Sequence, residues 1–128
     1  MDFGTPLDQI SCNSMMIDLA RDFSPYPAGR YSADGQFSGE AFREHKLVPA
    51  LKTLVAGGSD EKLVINIDGV RAFGSSFLEE AFGGLLRLGL FPKDEILKRI
   101  DVQSTKPNLV FYKNMILDII KTTPTQPR

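Results

Sequence analysis

The sequence predicts an α/β domain in which a mixed, mostly parallel sheet of about four strands carries helices packed against it. Apolar runs of strand length alternate with stretches of helical periodicity, the order that builds a largely parallel sheet with helical crossovers. The run "KLVINID" at 62–68 is mostly apolar and β-branched, which fits a central strand covered on both faces. At 128 residues, with no internal repeat and no linker composition, the chain fits one domain that buries roughly two thirds of its unfolded surface.

Residues 1–13 hold Gly4, Pro6 and few periodic apolar positions and are expected to form a flexible arm before a folded domain at 14–121. A first strand is expected over Met15 to Ala20. From Phe23 to Gly39 the chain is dense in Pro, Gly, Ser and Asp, a loop with room for a short strand around Gly29 to Ser32. Ser38 is placed to cap a helix, because its oxygen can accept an orphan N–H. Phe42, Leu47, Leu51 and Leu54 then recur at near-helical spacing, and Pro49 predicts a kink, or two helices meeting near Val48.

Gly57 and Gly58 suit the left-handed cap that ends this helix. After the central strand, Phe77 to Leu88 reads as a helix apolar on nearly every side except at Glu79, Glu80 and Arg87. Gly83 and Gly84 cost this helix about 1 kcal/mol each relative to alanine, which implies close approach of another element. Pro92 opens a short helix through Arg99, a strand starts at Ile100, and Pro107 opens a last helix through Lys121 with Leu109, Tyr112, Ile116 and Ile119 inward. Residues 122–128 have nothing to bury and are expected to be a disordered tail.

Composition removes several function classes. Fifteen Lys plus Arg against sixteen Asp plus Glu leave a net charge of -1, so no global field recruits nucleic acid or anionic lipid. Single residues, Cys12 and His45, cannot build the usual zinc clusters or an internal disulfide, and no cofactor signature is present. With no apolar run near the roughly 20 residues of a membrane span and no secretory leader pattern, a cytoplasmic protein without membrane contact is expected.

Two polar constellations remain. In "GSSFLEE", Ser75 lies at a helix N-terminus, where free N–H groups and the dipole favour an anion, whereas Glu79 and Glu80 would repel one. Ser76 and Glu79 also match an S-x-x-E capping box, which explains both by helix stability alone. In "GRYSADGQFSGEAFR", Arg30 and Arg43 could clamp a phosphate or a partner carboxylate, with Tyr31 as an aromatic anchor. The competing reading makes Ser32 to Gly35 a surface turn and lets Glu40 favour a helix dipole.

The stretch "VINIDGVRAFGSSFLEEAFGGLL" resembles the strand, turn and helix of STAS domains (sulfate transporter and anti-sigma antagonist). Arg30 to Arg43 and Gly74 to Leu85 are similar to two patterns of the STAS-like family of unassigned function, a similarity that covers Ile17 to about Lys121. The resemblance implies a single STAS-like domain acting as a non-enzymatic signalling switch. In bacterial anti-sigma factor antagonists, a kinase of the histidine-kinase ATPase fold binds the unmodified form and phosphorylates the first serine of the turn. Ser75 matches that serine and Ser76 the next, while Gly74 stands in place of an aspartate and Phe77 in place of a glycine. The resemblance also implies a protein partner of the histidine-kinase-type ATPase class, since similar STAS-like proteins occur beside or fused to such ATPases.

Three function classes follow. The first is a regulatory interaction module whose contact residues are Gly74, Ser75, Ser76, Phe77, Glu79 and Glu80, with Arg30, Tyr31, Glu40 and Arg43 as a second stretch; it requires an exposed Ser75 bordered by apolar surface. The second is a small-ligand or nucleotide-binding module using the helix N-terminus at Ser75 and Ser76. The third is a serine-dependent hydrolase or transferase, which needs His45 within hydrogen-bond reach of Ser75.

Overall fold

Three parallel strands run through the middle of the computed structural model, which describes residues 14–58 and 61–124. They are β1 (Ser14–Asp18), β2 (Lys62–Asn66) and β3 (Ile100–Gln103), in the order β1-β2-β3. The register places Ile17 beside Ile65 and Ile65 beside Val102. Parallel neighbours require crossovers, and helices supply them. Helix α1 (Leu19–Asp22) is one turn. Helix α2 (39–57) joins β1 to β2, α3 (75–87) and α4 (Lys93–Arg99) join β2 to β3, and α5 (Val110–Thr122) closes the chain. Leu63, Val64 and Ile65 are all buried, so β2 is covered on both faces, as its composition required. The expected arm 1–13, with Cys12, and residues 125–128 of the expected tail lie outside the described residues; Thr122 ends α5.

The α/β class holds, with three strands in place of about four. No strand forms at Gly29 to Ser32, because its backbone groups are taken by local partners. The Asp34 carboxylate accepts from the N–H groups of Arg30 and Tyr31, and Glu40 accepts from that of Ser32 at 2.8 Å. The carbonyls of Gly29 and Arg30 accept from Gly39 and Glu40, so this segment is stitched to the start of α2. β1 also stops short of Ala20. Asp18 caps α1 by accepting from Arg21 N–H, and Asp22 reaches back to Asp18 N–H at 2.8 Å.

Ser38 caps α2 as expected, accepting from Ala41 N–H at 3.1 Å. Pro49 does not split the helix. The run Gly39–Phe42, a π-helical turn Arg43–Leu47 and Val48–Gly57 follow without a break, Val48 N–H bonding back to the Arg43 carbonyl. The wider turn lies immediately before the proline and takes up the irregularity that a missing N–H imposes. Helix α3 has the same build: Ser75–Leu78, a π turn Glu79–Gly83, then Gly84–Arg87.

The two π-bearing helices touch. A Cβ on Gly39 would collide with the Phe77 carbonyl oxygen and stand 3.0 Å from Ala81 N, so only glycine allows this crossing. Gly57, also in α2, has open space around it. Gly39→Ala is therefore expected to destabilise the chain by about 1–3 kcal/mol through overpacking against backbone. Gly57→Ala should be neutral or stabilising by up to about 1 kcal/mol. Urea midpoints of the two variants check the contrast, and equal effects would contradict the close crossing.

Candidate functional site

Helix α3 begins two residues earlier than a capping box at Ser76 requires. Gly74 occupies the N-cap position in extended geometry and no side chain caps the turn. The Ser76–Glu79 box is thus not formed, because Glu79 is held by two guanidiniums. Ser75 is exposed, and its hydroxyl makes no hydrogen bond among the described residues; Ser76 is half-buried. Phe77 is fully buried against the rings of Phe23, Phe42 and Phe73, at centroid distances of 6.1, 5.7 and 6.2 Å. It anchors the turn from beneath and is not a surface contact.

The two polar constellations of the sequence meet here. Arg43, its side chain 5% exposed, donates through Nη1 to Glu80 Oε2 at 2.7 Å and to the Glu80 carbonyl at 2.8 Å. Arg30 donates to Glu79 Oε1 and, at 3.3 Å, to Glu80 Oε1. Arg87 pairs with both oxygens of Glu79 and with Glu80 Oε1 at 3.3 Å. Three arginines from a loop, α2 and α3 therefore enclose two adjacent carboxylates. The expectation that Arg30 and Arg43 clamp an external phosphate or carboxylate is corrected: their acids are this chain's own Glu79 and Glu80, and Arg43 is sealed inside. Glu80 is likewise buried, so neither side chain of that pair faces a partner.

The π turns position the cluster. Arg43 opens the first and Glu79 with Glu80 opens the second, so the bulges lie at the ion pair. Arg87 follows Glu80 by seven residues, two ordinary helical turns, and the extra residue of a π turn brings Glu79 under the same guanidinium. In the sequence Arg87 stands out only as a polar exception on this helix and not among the site residues; the i, i+7 spacing to Glu80 was the available signal. Gly84 serves this site, since a Cβ there would overlap Arg43 Nη1. The close approach implied by the paired glycines is thus to an arginine side chain.

A loop folds over the exposed end of the turn. Arg71 N–H donates to the Pro25 carbonyl at 2.8 Å and Gly74 N–H to that of Pro27 at 3.4 Å. The loop displays Tyr26 and Tyr31, which are 63% and 52% exposed. On another side, rings step outward from Phe77 through Phe73 and Tyr112 to Phe111, which is 63% exposed. Aromatic surface therefore adjoins the turn. Glu40 is engaged with Ser32 N–H, which holds its carboxyl below the usual range and fastens the Arg30 loop to α2. His45 is exposed on α2, and no hydrogen bond joins it to Ser75. Among the described residues no group of His, Cys, Asp and Glu side chains is placed to hold a metal ion, and no helix is long and apolar enough to cross a membrane.

A comparison against protein families covers β2, the turn, α3 and β3. Residues 38–109 match the model described as a STAS-like domain of unknown function (DUF4325), and the chain belongs to that family. No curated protein and no solved structure matches the chain significantly.

Burial pushes the Glu79 carboxyl up, but hydrogen bonds from Arg87 and Arg30 outweigh it and hold the group below the usual glutamate range. A depressed folded value stabilises the fold above the unfolded pKa of about 4.3 and loses that contribution as pH falls through the folded value. Glu79→Gln is expected to be less stable than the native chain at pH 7 by about 1 kcal/mol, the pair being partly solvated. That gap should close as the pH is lowered below about 4. Urea unfolding of both chains across this range checks it, and a gap independent of pH would contradict the assignment.

Proposed function

We propose that this chain is a non-enzymatic regulatory module that docks a protein partner of the histidine-kinase-type ATPase class through the Gly74–Glu80 turn and the loop laid over it, and that phosphorylation of Ser75 resets the contact. The observation that carries this reading is the exposed, unbonded Ser75 hydroxyl one helical turn before Glu79, next to a loop whose Arg30 neutralises Glu79. Tyr26 and Tyr31 supply the aromatic area that interface hot spots favour. The family resemblance of the turn supplies the partner class.

The charge arithmetic gives the switch its direction. In the unmodified chain Arg30, Arg43 and Arg87 balance Glu79, Glu80 and Glu44, the last paired with Arg43 at 3.3 Å. A phosphate on Ser75 adds nearly two negative charges and three acceptor oxygens on the same helix face as Glu79. It repels Glu79 and competes for Arg30, the clamp member carried on a loop, whose segment is held by backbone bonds, polar contacts and the packing of Phe37 on Phe23. Arg43 stays inside on Glu80. The modification thus shifts the loop carrying Tyr26 and Tyr31 while the crossing of α2 and α3 persists. Binding is expected to favour the unmodified form.

Incubation with an ATPase-class protein encoded beside this chain and ATP should add one phosphate at Ser75, read by mass spectrometry. Ser75→Asp should weaken the complex at least about tenfold, a loss of ~1.4 kcal/mol. Full binding by Ser75→Asp together with absent phosphate transfer would contradict the proposal.

A further inference from the structure

We infer that a groove at the carboxyl ends of β2 and β3, separate from the Ser75 turn, binds a small phosphate-bearing ligand. The groove has a volume of about 450 Å³ and is lined by Gly69, Val70, Arg71, Lys106, Asn108 and Leu109. Its size falls within the roughly 300–1,000 Å³ of small-molecule sites. Its position, between the loops that follow two parallel strands, is the usual ligand position in open α/β sheets. Neither Ser75 nor Ser76 lines it.

The charges in this groove are the reason to assign it a ligand. Of the described arginines, Arg21, Arg30, Arg43, Arg87 and Arg99 each pair with a carboxylate of the chain. Among the described residues Arg71 pairs with none, and Lys106, also in the lining, has no carboxylate either. Two cations on facing loops, with no acid in the lining, form a cleft of single sign that concentrates anions. Asn108 adds neutral hydrogen-bond donors between them. Val70 and Leu109 are buried and give the groove apolar wall.

The two loops are fixed to each other without the ligand. The Asp68 carboxylate accepts from Ser104 Oγ at 2.9 Å, from Thr105 N–H at 2.8 Å and from Thr105 Oγ1 at 2.8 Å. Asp68 N–H in turn donates to Asn66 Oδ1 at 2.8 Å. Asp68, next in sequence to Gly69 of the lining, keeps its charge, and its oxygens are engaged by these neutral donors. Arg71 is also fixed at its backbone by the bond to Pro25. The guanidinium offers a planar fork to phosphate and the ammonium a point charge, a combination suited to a phosphate ester or a diphosphate.

Titration of the full chain with inorganic pyrophosphate, against sodium chloride of matched ionic strength, tests the assignment by amide NMR. Saturable shifts are expected at Gly69, Val70, Arg71 and Asn108 with pyrophosphate and not with chloride. Arg71→Gln and Lys106→Gln should each weaken binding about tenfold while leaving the urea midpoint unchanged, because both side chains are exposed. Shifts that fail to saturate, that chloride reproduces, or that survive both substitutions would overturn it.

Discussion

The buried pair Arg43–Glu80 is the constraint on which the rest of the molecule depends. A guanidinium and a carboxylate removed from water are costly unless each finds full compensation. Here Arg43 satisfies both the side chain and the backbone carbonyl of Glu80, while Arg30 and Arg87 complete the acid's remaining oxygen. The demand fixes backbone choices far from it in sequence. Gly84 leaves space for the guanidinium, Gly39 lets α2 and α3 cross closely enough for the pair to meet, and each helix carries a π turn at its contributing residues. Beneath the cluster, Phe42, Phe77 and Phe82 fill the interior between the helices.

This arrangement divides one cluster of charges into a buried part and a partly solvated part. The inner pair holds helix to helix. The outer pairs, Glu79 with Arg30 and Arg87, are partly solvated and link the helix to a loop with exposed tyrosines. A charge added at Ser75 falls on the outer pairs, where solvent moderates each interaction and local rearrangement is inexpensive. Low-stability loops over a rigid scaffold are where binding residues commonly reside. The solvated part of the cluster can thus rearrange without loosening the core.

Much of the fold was legible in the sequence because it rests on local pattern. The apolar run at β2, the Ser38 cap, the Pro92 and Pro107 helix starts and the inward Ile116 all follow from periodicity and backbone chemistry. The absent fourth strand at Gly29 to Ser32 was half legible: the Pro, Gly, Ser and Asp around it read as loop, but not that Asp34 and Glu40 would take the N–H groups of Tyr31 and Ser32. Within the site, the two polar stretches holding Ser75, Glu80, Arg30 and Arg43 could be singled out, but not that the glutamates and arginines answer each other. Arg30 and Glu79 are 49 residues apart, and no periodicity spans such a distance. The capping-box reading of Ser76 and Glu79 failed for the same reason, a local motif losing to a long-range charge.

The central claim is that Arg43 and Glu80 act as one unit. A double-mutant cycle with Arg43→Met, Glu80→Met and the combined variant, followed by urea unfolding, tests it most directly. Each single substitution takes from a buried charge its shortest ion pair and is expected to cost about 3–5 kcal/mol, whereas the combined variant should cost far less than their sum. Strictly additive losses would mean that the two side chains contribute separately, and the account built on their pairing would fail.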